Sequence, residues 1–217
     1  MEPKKTSLAD QAYAVIKQNI LNLTYPPGMP LTEAKLTQEL GMSRNPVRTA
    51  LKMLQSEGLI VSDFYRSMKV KEISDRDIQN IYQLRELLEG AAFKQIFDSG
   101  KAVEYSYRIE EKVVHMCAVS GDPYAWEMAD TGMHLEIVSI FENERITKFY
   151  ESNLSELIRI GLYSIKGGMR IDSANTNLKK MVKFMRKNDY ENAFDILVKD
   201  HFMMGKDSAL KEERAEL

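Results

Sequence analysis

Two groups of polar residues have spacings that chemistry can use. The first lies between Ser43 and Lys52. Asn45, Arg48, Thr49 and Lys52 recur at i, i+3, i+4 and i+7, so in a helix they share one face, with Arg44 beside them in the first turn. That face offers hydrogen-bond donors and no acid, which suits phosphate oxygens and guanine edges. Val47, Ala50, Leu51 and Leu54 fall on the other side and read as the buried half. On composition alone, an ordinary solvated polar face fits equally. The second group is Asp130 and His134, four residues apart, whose side chains project from one helical face and can share a divalent ion such as zinc or nickel. A plain polar pair is the other reading. Arg85 and Arg159 sit among apolar neighbours and are candidates for meeting a bound anion. Arg85 also stands four residues before Glu89, the spacing of a structural ion pair.

The elements that must hold these groups can be read from periodicity. Leu8, Ala12, Tyr13, Ile16 and Ile20 build one apolar stripe and predict a first helix, stopped by Pro26-Pro27-Gly28. Thr32 can cap a short second helix that ends at Gly41, and Ser43 can cap a third running to about Gly58, with Pro46 tolerated in its first turn. Helix, glycine turn, helix is the arrangement of a helix-turn-helix. Leu59-Ile60-Val61 and Met68-Lys69-Val70 flank a polar turn and read as a small hairpin, the wing. At Ser74 the pattern becomes purely helical. Breakers near Gly100, Gly121-Asp122-Pro123, Asn143, Gly167-Gly168 and Asn188-Asp189 divide the rest into about six helices, a bundle. The expected fold is therefore mostly α. Residues 1–73 form a winged helix-turn-helix with a β-hairpin wing, and residues 74–217 an all-helical effector-binding and dimerisation domain.

Charge follows the same division. Residues 1–73 carry ten Lys/Arg against seven Asp/Glu, and the remainder 20 against 25, so the first block suits an anionic partner better than the second. One cysteine, Cys117, excludes an intramolecular disulfide and a multi-cysteine metal cluster. No apolar run approaches the roughly 20 residues of a membrane span, and Met1-Glu2-Pro3-Lys4-Lys5 does not begin a secretory signal. These features point to the cytoplasm. No Walker loop, dinucleotide fingerprint or nucleophile-plus-base motif is present. Trp126 reads as a core anchor, and His115 as a structural or surface residue.

The stretches Tyr25-Pro26-Pro27-Gly28-Met29-Pro30-Leu31-Thr32-Glu33, Leu40-Gly41-Met42-Ser43-Arg44-Asn45-Pro46-Val47-Arg48-Thr49-Ala50-Leu51 and Leu54-Gln55-Ser56-Glu57-Gly58-Leu59-Ile60 resemble the winged-helix domain of the GntR family of bacterial regulators. The resemblance implies that Arg44 and Arg48 contact operator DNA, with Ser43 and Asn45 near the backbone or bases. Thr49 and Lys52 belong to the same face, and Arg66 to the wing tip, where Ser67 replaces the family's usual glycine. Residues 76–210 resemble the helical effector domain of the FadR branch, called FCD, through Leu84-Arg85-Glu86-Leu87-Leu88-Glu89, the run from Asp122 through Trp126 and Asp130 to His134, Asn143, and Asn188-Asp189. In that branch two later histidines complete the Asp–His metal pair. Counting from Asn188-Asp189, the first falls on Leu178 and the second on Asp200, one residue before His201. A reduced site of Asp130, His134 and either Asp200 or His201 remains, open to water or an effector carboxylate. The resemblance further implies a homodimer, a pseudo-palindromic double-stranded operator, a small-molecule effector and, in most relatives, repression. Two other readings are a metal-dependent hydrolase or lyase with Glu136 as base, and a DNA-binding protein without effector response.

Overall fold

The computed structural model describes residues 7–62 and 68–216. Arg66, expected at the wing tip, lies outside the described residues. The chain divides into two compact units, residues 1–73 and 74–217.

In the first unit, α1 (Leu8–Leu21) starts on a capping box: the Ser7 hydroxyl accepts from the Asp10 N–H, and the Asp10 carboxylate accepts from the Ser7 N–H. α2 (Glu33–Leu40) is capped by the Thr32 hydroxyl, which accepts from Lys35 N–H. It stops at Gly41, whose φ of 62° is left-handed and disfavoured for side chains with a Cβ. α3 (Arg44–Ser56) follows. Ser43 occupies its N-cap, but its hydroxyl makes no capping hydrogen bond, contrary to the sequence reading. Val47, Ala50, Leu51 and Leu54 are wholly buried, largely against α1. Each of the larger three contributes about 1.5–3 kcal/mol by leaving water. Tyr13 and Lys17 of α1 converge on Glu57 just past α3, with Lys17 Nζ 2.7 Å from the carboxylate, which fixes the far end of α3.

Three short strands complete the unit: β1 (Pro30–Leu31), β2 (Ile60–Ser62) and β3 (Met68–Val70), antiparallel in the order β1-β3-β2. The hairpin was legible in the sequence and β1 was not. A two-residue strand beginning on proline gives no alternation to read, and its edge position is where a missing N–H is tolerated.

The second unit contains α4 (Asp75–Asp98), α5 (Ala102–Ala118), α6 (Pro123–Val138), a 3-10 turn (Ser139–Phe141), α7 (Glu144–Ser152), α8 (Leu154–Lys166), α9 (Ile171–Arg186), α10 (Tyr190–Asp195), a π-helical stretch (Ile196–Phe202) and α11 (Met203–Glu216). The segment expected as one helix after Asn143 is two. Asn153 Nδ2 donates to the Phe149 carbonyl at 2.7 Å, a side-chain bond that competes with the backbone ladder, and the chain breaks there. α6 packs against α4, α5, α7 and α8. Its Trp126 is fully buried and donates from Nε1 to Asn175 Oδ1 of α9 at 2.9 Å, in keeping with its reading as a core anchor. Among the described residues, no helix is long and apolar enough to cross a membrane.

Candidate nucleic-acid face and buried metal-type centre

α3 separates its two faces cleanly. Ser43, Arg44, Asn45, Arg48, Thr49 and Lys52 are exposed, while the apolar residues between them are buried. Arg48 is not free-standing. Its Nε and Nη2 donate to the two carboxylate oxygens of Glu33 on α2, at 2.8 and 2.9 Å. Those hydrogen bonds hold the Glu33 carboxyl below its ordinary range, burial acting weakly the other way. The sequence reading found no acid on this face because the acid comes from the neighbouring helix.

In the second unit, α6 and the π-helical stretch bring Asp130, His134 and His201 together, all buried. His134 Nε2 lies 3.1 Å from His201 Nε2 and 3.4 Å from Asp130 Oδ2, and His201 Nε2 lies 3.2 Å from Asp130 Oδ1. A tetrahedral ion with bonds of about 2.0–2.2 Å has ligand–ligand edges of roughly 3.3–3.6 Å. The three observed separations are at or just below that range, so the donor set and its spacing fit a metal such as zinc. Asp130, His134 and His201 would hold the ion.

Glu89 of α4 supports the centre from behind. Its Oε2 is 2.5 Å from His134 Nδ1, and its Oε1 accepts from Arg85 Nε at 3.0 Å and from the Tyr150 hydroxyl at 2.8 Å. The Glu89 carboxylate thus stands against the Nδ1 edge of His134 while Nε2 faces Asp130 and His201, the placement of the carboxylate support common behind metal-ligating histidines. Burial alone raises the Glu89 carboxyl, but Arg85 and His134 outweigh it and pull it down to about 2. Burial likewise opposes the shifts at Asp130 and His134. The imidazoles still hold Asp130 well below the carboxylate range, and Glu89 and Asp130 still raise His134. For His201 burial prevails and lowers it.

The choice left open between Asp200 and His201 is resolved by backbone geometry. Asp200 is exposed, whereas His201, in the seven-residue π stretch, is buried and turned towards Asp130. Leu178 is fully buried and presents no donor.

Arg85 fits both of its readings. It pairs with Glu89 and stacks over Phe202 at 4.4 Å, while its Nη2 is buried without a hydrogen-bond partner among the described residues and the side chain lines the cavities beside the triad. Arg159 does not line these two cavities, whose α8 residues are Leu157, Gly161 and Ser164; it is buried, with Tyr163, Glu156 and Asp77 favouring its charge. Burial brings its guanidinium down to about 10. Glu136 is also removed from the centre, its carboxylate lying 2.5 Å from Arg108 of α5. His115 is exposed on α5.

Sequence reasoning missed Glu127. It stands at i, i+3 and i+7 with Asp130 and His134, which was the available signal, and it is buried. Burial and the Asp130 charge push its carboxyl well above the ordinary range. The cavity it lines with Asp130 and His201 has about 10 Å³ of free space, the limit for one water. A wider cleft of about 410 Å³ lies between α4 and α11, with Tyr82 and Phe202 among its walls.

Comparison with known proteins agrees with these two units. Residues 8–70 match the family "Bacterial regulatory proteins, gntR family", and residues 80–202 match the FCD domain. An uncharacterized HTH-type transcriptional regulator of Bacillus subtilis, YdhC, is 30% identical over 52% of this chain and 52% of its own length. A probable D-xylose utilization operon transcriptional repressor of Paenarthrobacter nicotinovorans is 24% identical over 87% of this chain and 83% of its own. The fold is shared with a GntR transcriptional regulator from Rhodococcus sp. RHA1, at TM-score 0.74 and 20% identity over 93% of this chain and 97% of that one. It is shared also with E. coli McbR/YncC, at TM-score 0.65 and 19% identity over 97% and 100%. The matched families and relatives are transcription regulators rather than enzymes. The chain belongs to the GntR family of bacterial transcription regulators, with a winged-helix head followed by an FCD domain.

Proposed function

We propose that the chain is a ligand-responsive repressor that binds a pseudo-palindromic operator as a homodimer. The observation that carries this reading is the exposed donor face of α3, set on a fully buried Val47–Leu54 anchor. α3 is the second helix of the helix-turn-helix, the one whose N-terminal residues meet base edges in the major groove. Arg44 and Arg48 read bases or phosphates there, Ser43, Asn45 and Thr49 hydrogen-bond beside them, and Lys52 meets the backbone. Two copies related by a two-fold axis match the two halves of such a site. Repression follows the description of the Paenarthrobacter relative.

The effector is a small organic carboxylate. Support comes from the buried, unpartnered Arg85 Nη2 beside a triad that fits zinc or nickel. The α4–α11 cleft is large enough to admit a small ligand, and displacement of Tyr82 and Phe202 opens the way inward.

The test is gel-shift binding to the intergenic DNA that flanks the gene. R44A and R48A should each weaken specific binding roughly ten- to hundredfold with the fold intact by circular dichroism. Wild-type affinity in both variants refutes α3 as the reading helix.

A further inference from the structure

The triad provides three donors, one short of the four of a closed tetrahedral site. We infer that Glu127 supplies the missing ligand, so that the centre is completed from α6 itself by Glu127, Asp130 and His134, with His201 from the π-helical stretch. The inference rests on reading the triad as a metal site.

Four observations carry it. Glu127, Asp130 and His134 form one stripe along α6, aimed at the same interior. Glu127 is buried, yet its hydrogen bonding among the described residues is a single long bond from the Thr131 hydroxyl, at 3.4 Å. A carboxylate has about four acceptor sites, so one long bond leaves most of that capacity unused. Both cavities flanking the triad are lined by Glu127 and Asp130 together, and one of them also by His201. The free space beside them, about 10 Å³, suits an ion or one water rather than an organic molecule. Finally, α8 makes room for this carboxylate with Gly161: a Cβ built there would overlap the Glu127 carboxyl group. Glu127 lies outside the group of three whose donors fall within 4.8 Å of one another. Ligation by Glu127 therefore requires its carboxylate to turn from the Gly161 side towards the triad.

The test uses the full-length protein freed of metal by chelator dialysis and reloaded with Zn²⁺ or Co²⁺ alone. Zinc affinity is read by competition with a chromophoric chelator, and coordination by the visible spectrum of the cobalt form. The wild type should take up one equivalent and give the intense band of four-coordinate cobalt. E127Q should weaken zinc binding about tenfold or more and lower and shift that band. E136Q, on the same helix but paired with Arg108, should match the wild type. E127D, which keeps the charge but withdraws it by one methylene, answers the question if E127Q fails to fold. A measurement without variants stands beside these: millimolar azide should leave the wild-type cobalt spectrum unchanged, because no water-bearing position is open. Wild-type affinity and spectrum in a folded E127Q or E127D overturn the Glu127 assignment alone, as does a spectrum that responds to azide. No stoichiometric uptake by the wild type overturns the metal reading with it and leaves the DNA-binding proposal untouched.

Discussion

Arg48 and Glu33 form a two-pronged pair between α3 and α2, Nε to Oε1 at 2.8 Å and Nη2 to Oε2 at 2.9 Å. The pair is exposed, so it adds little to stability. Its consequence is orientation: the guanidinium plane is fixed before DNA arrives, and less side-chain freedom is lost when a base is read. Glu33 also cancels one positive charge on the binding face. E33Q should therefore act in two directions. Affinity for random duplex should rise, with the salt slope steeper by about one charge, while preference for the operator over random DNA should fall. Kd values for both DNAs across a salt series measure this, and an unchanged ratio would show that Glu33 does not position Arg48.

Legibility differed by the kind of signal. α3 was readable because its two faces are separated within thirteen residues, so apolar anchor and polar surface appear together in one short run. The Asp130–His134 spacing was readable because it needs one helix only. His201 was named only as an alternative to Asp200, because spacing along the chain does not show which of two adjacent residues turns inward. Glu33 was passed over because it acts on Arg48 across a helix–helix contact that no spacing along the chain encodes. For Arg159, apolar sequence neighbours show that the helix is buried without showing which of its faces looks into a given cavity.

The π stretch gives a sharp contrast between adjacent residues. Asp200 is exposed and His201 is buried at 3.2 Å from Asp130. D200A should keep the zinc affinity of the wild type, whereas H201A should lose stoichiometric binding. D200H should add no ligand, because its ring would extend into solvent. Equilibrium dialysis of the three variants decides the matter, and loss of metal in D200A would mean that the segment follows α register in solution.

Glu89 joins Arg85, His134 and Tyr150 at one buried carboxylate. E89Q keeps the shape but removes the charge, leaving Arg85 buried without its counter-ion. Breaking a buried ion pair from one side costs about 3–5 kcal/mol. Urea denaturation of the metal-free protein should show a loss of that size, and R85M in the same chain should restore part of it, because the isolated charge is then gone. Zinc affinity should fall by about ten- to hundredfold in E89Q, since His134 Nδ1 loses the group that orients its ring. A stable E89Q with unchanged zinc binding would contradict the supporting role.

Two glycines of α8 should respond differently to alanine. At Gly161 the added methyl overlaps the end of the Glu127 side chain, and at Gly167 it overlaps the Ser208 carbonyl of α11. A carboxylate can rotate away, whereas a helix backbone must move as a body. Overpacking costs about 1–3 kcal/mol, and alanine in a helix interior returns about 1 kcal/mol relative to glycine. Gly161 lies within α8 and receives that return; Gly167 is its C-cap and does not. G161A should therefore lose about 0–2 kcal/mol and G167A about 1–3 kcal/mol, towards the upper end because a backbone must move. Chemical denaturation of both variants compares them directly. Equal losses would mean that Glu127 is held as rigidly against α8 as the α11 backbone is.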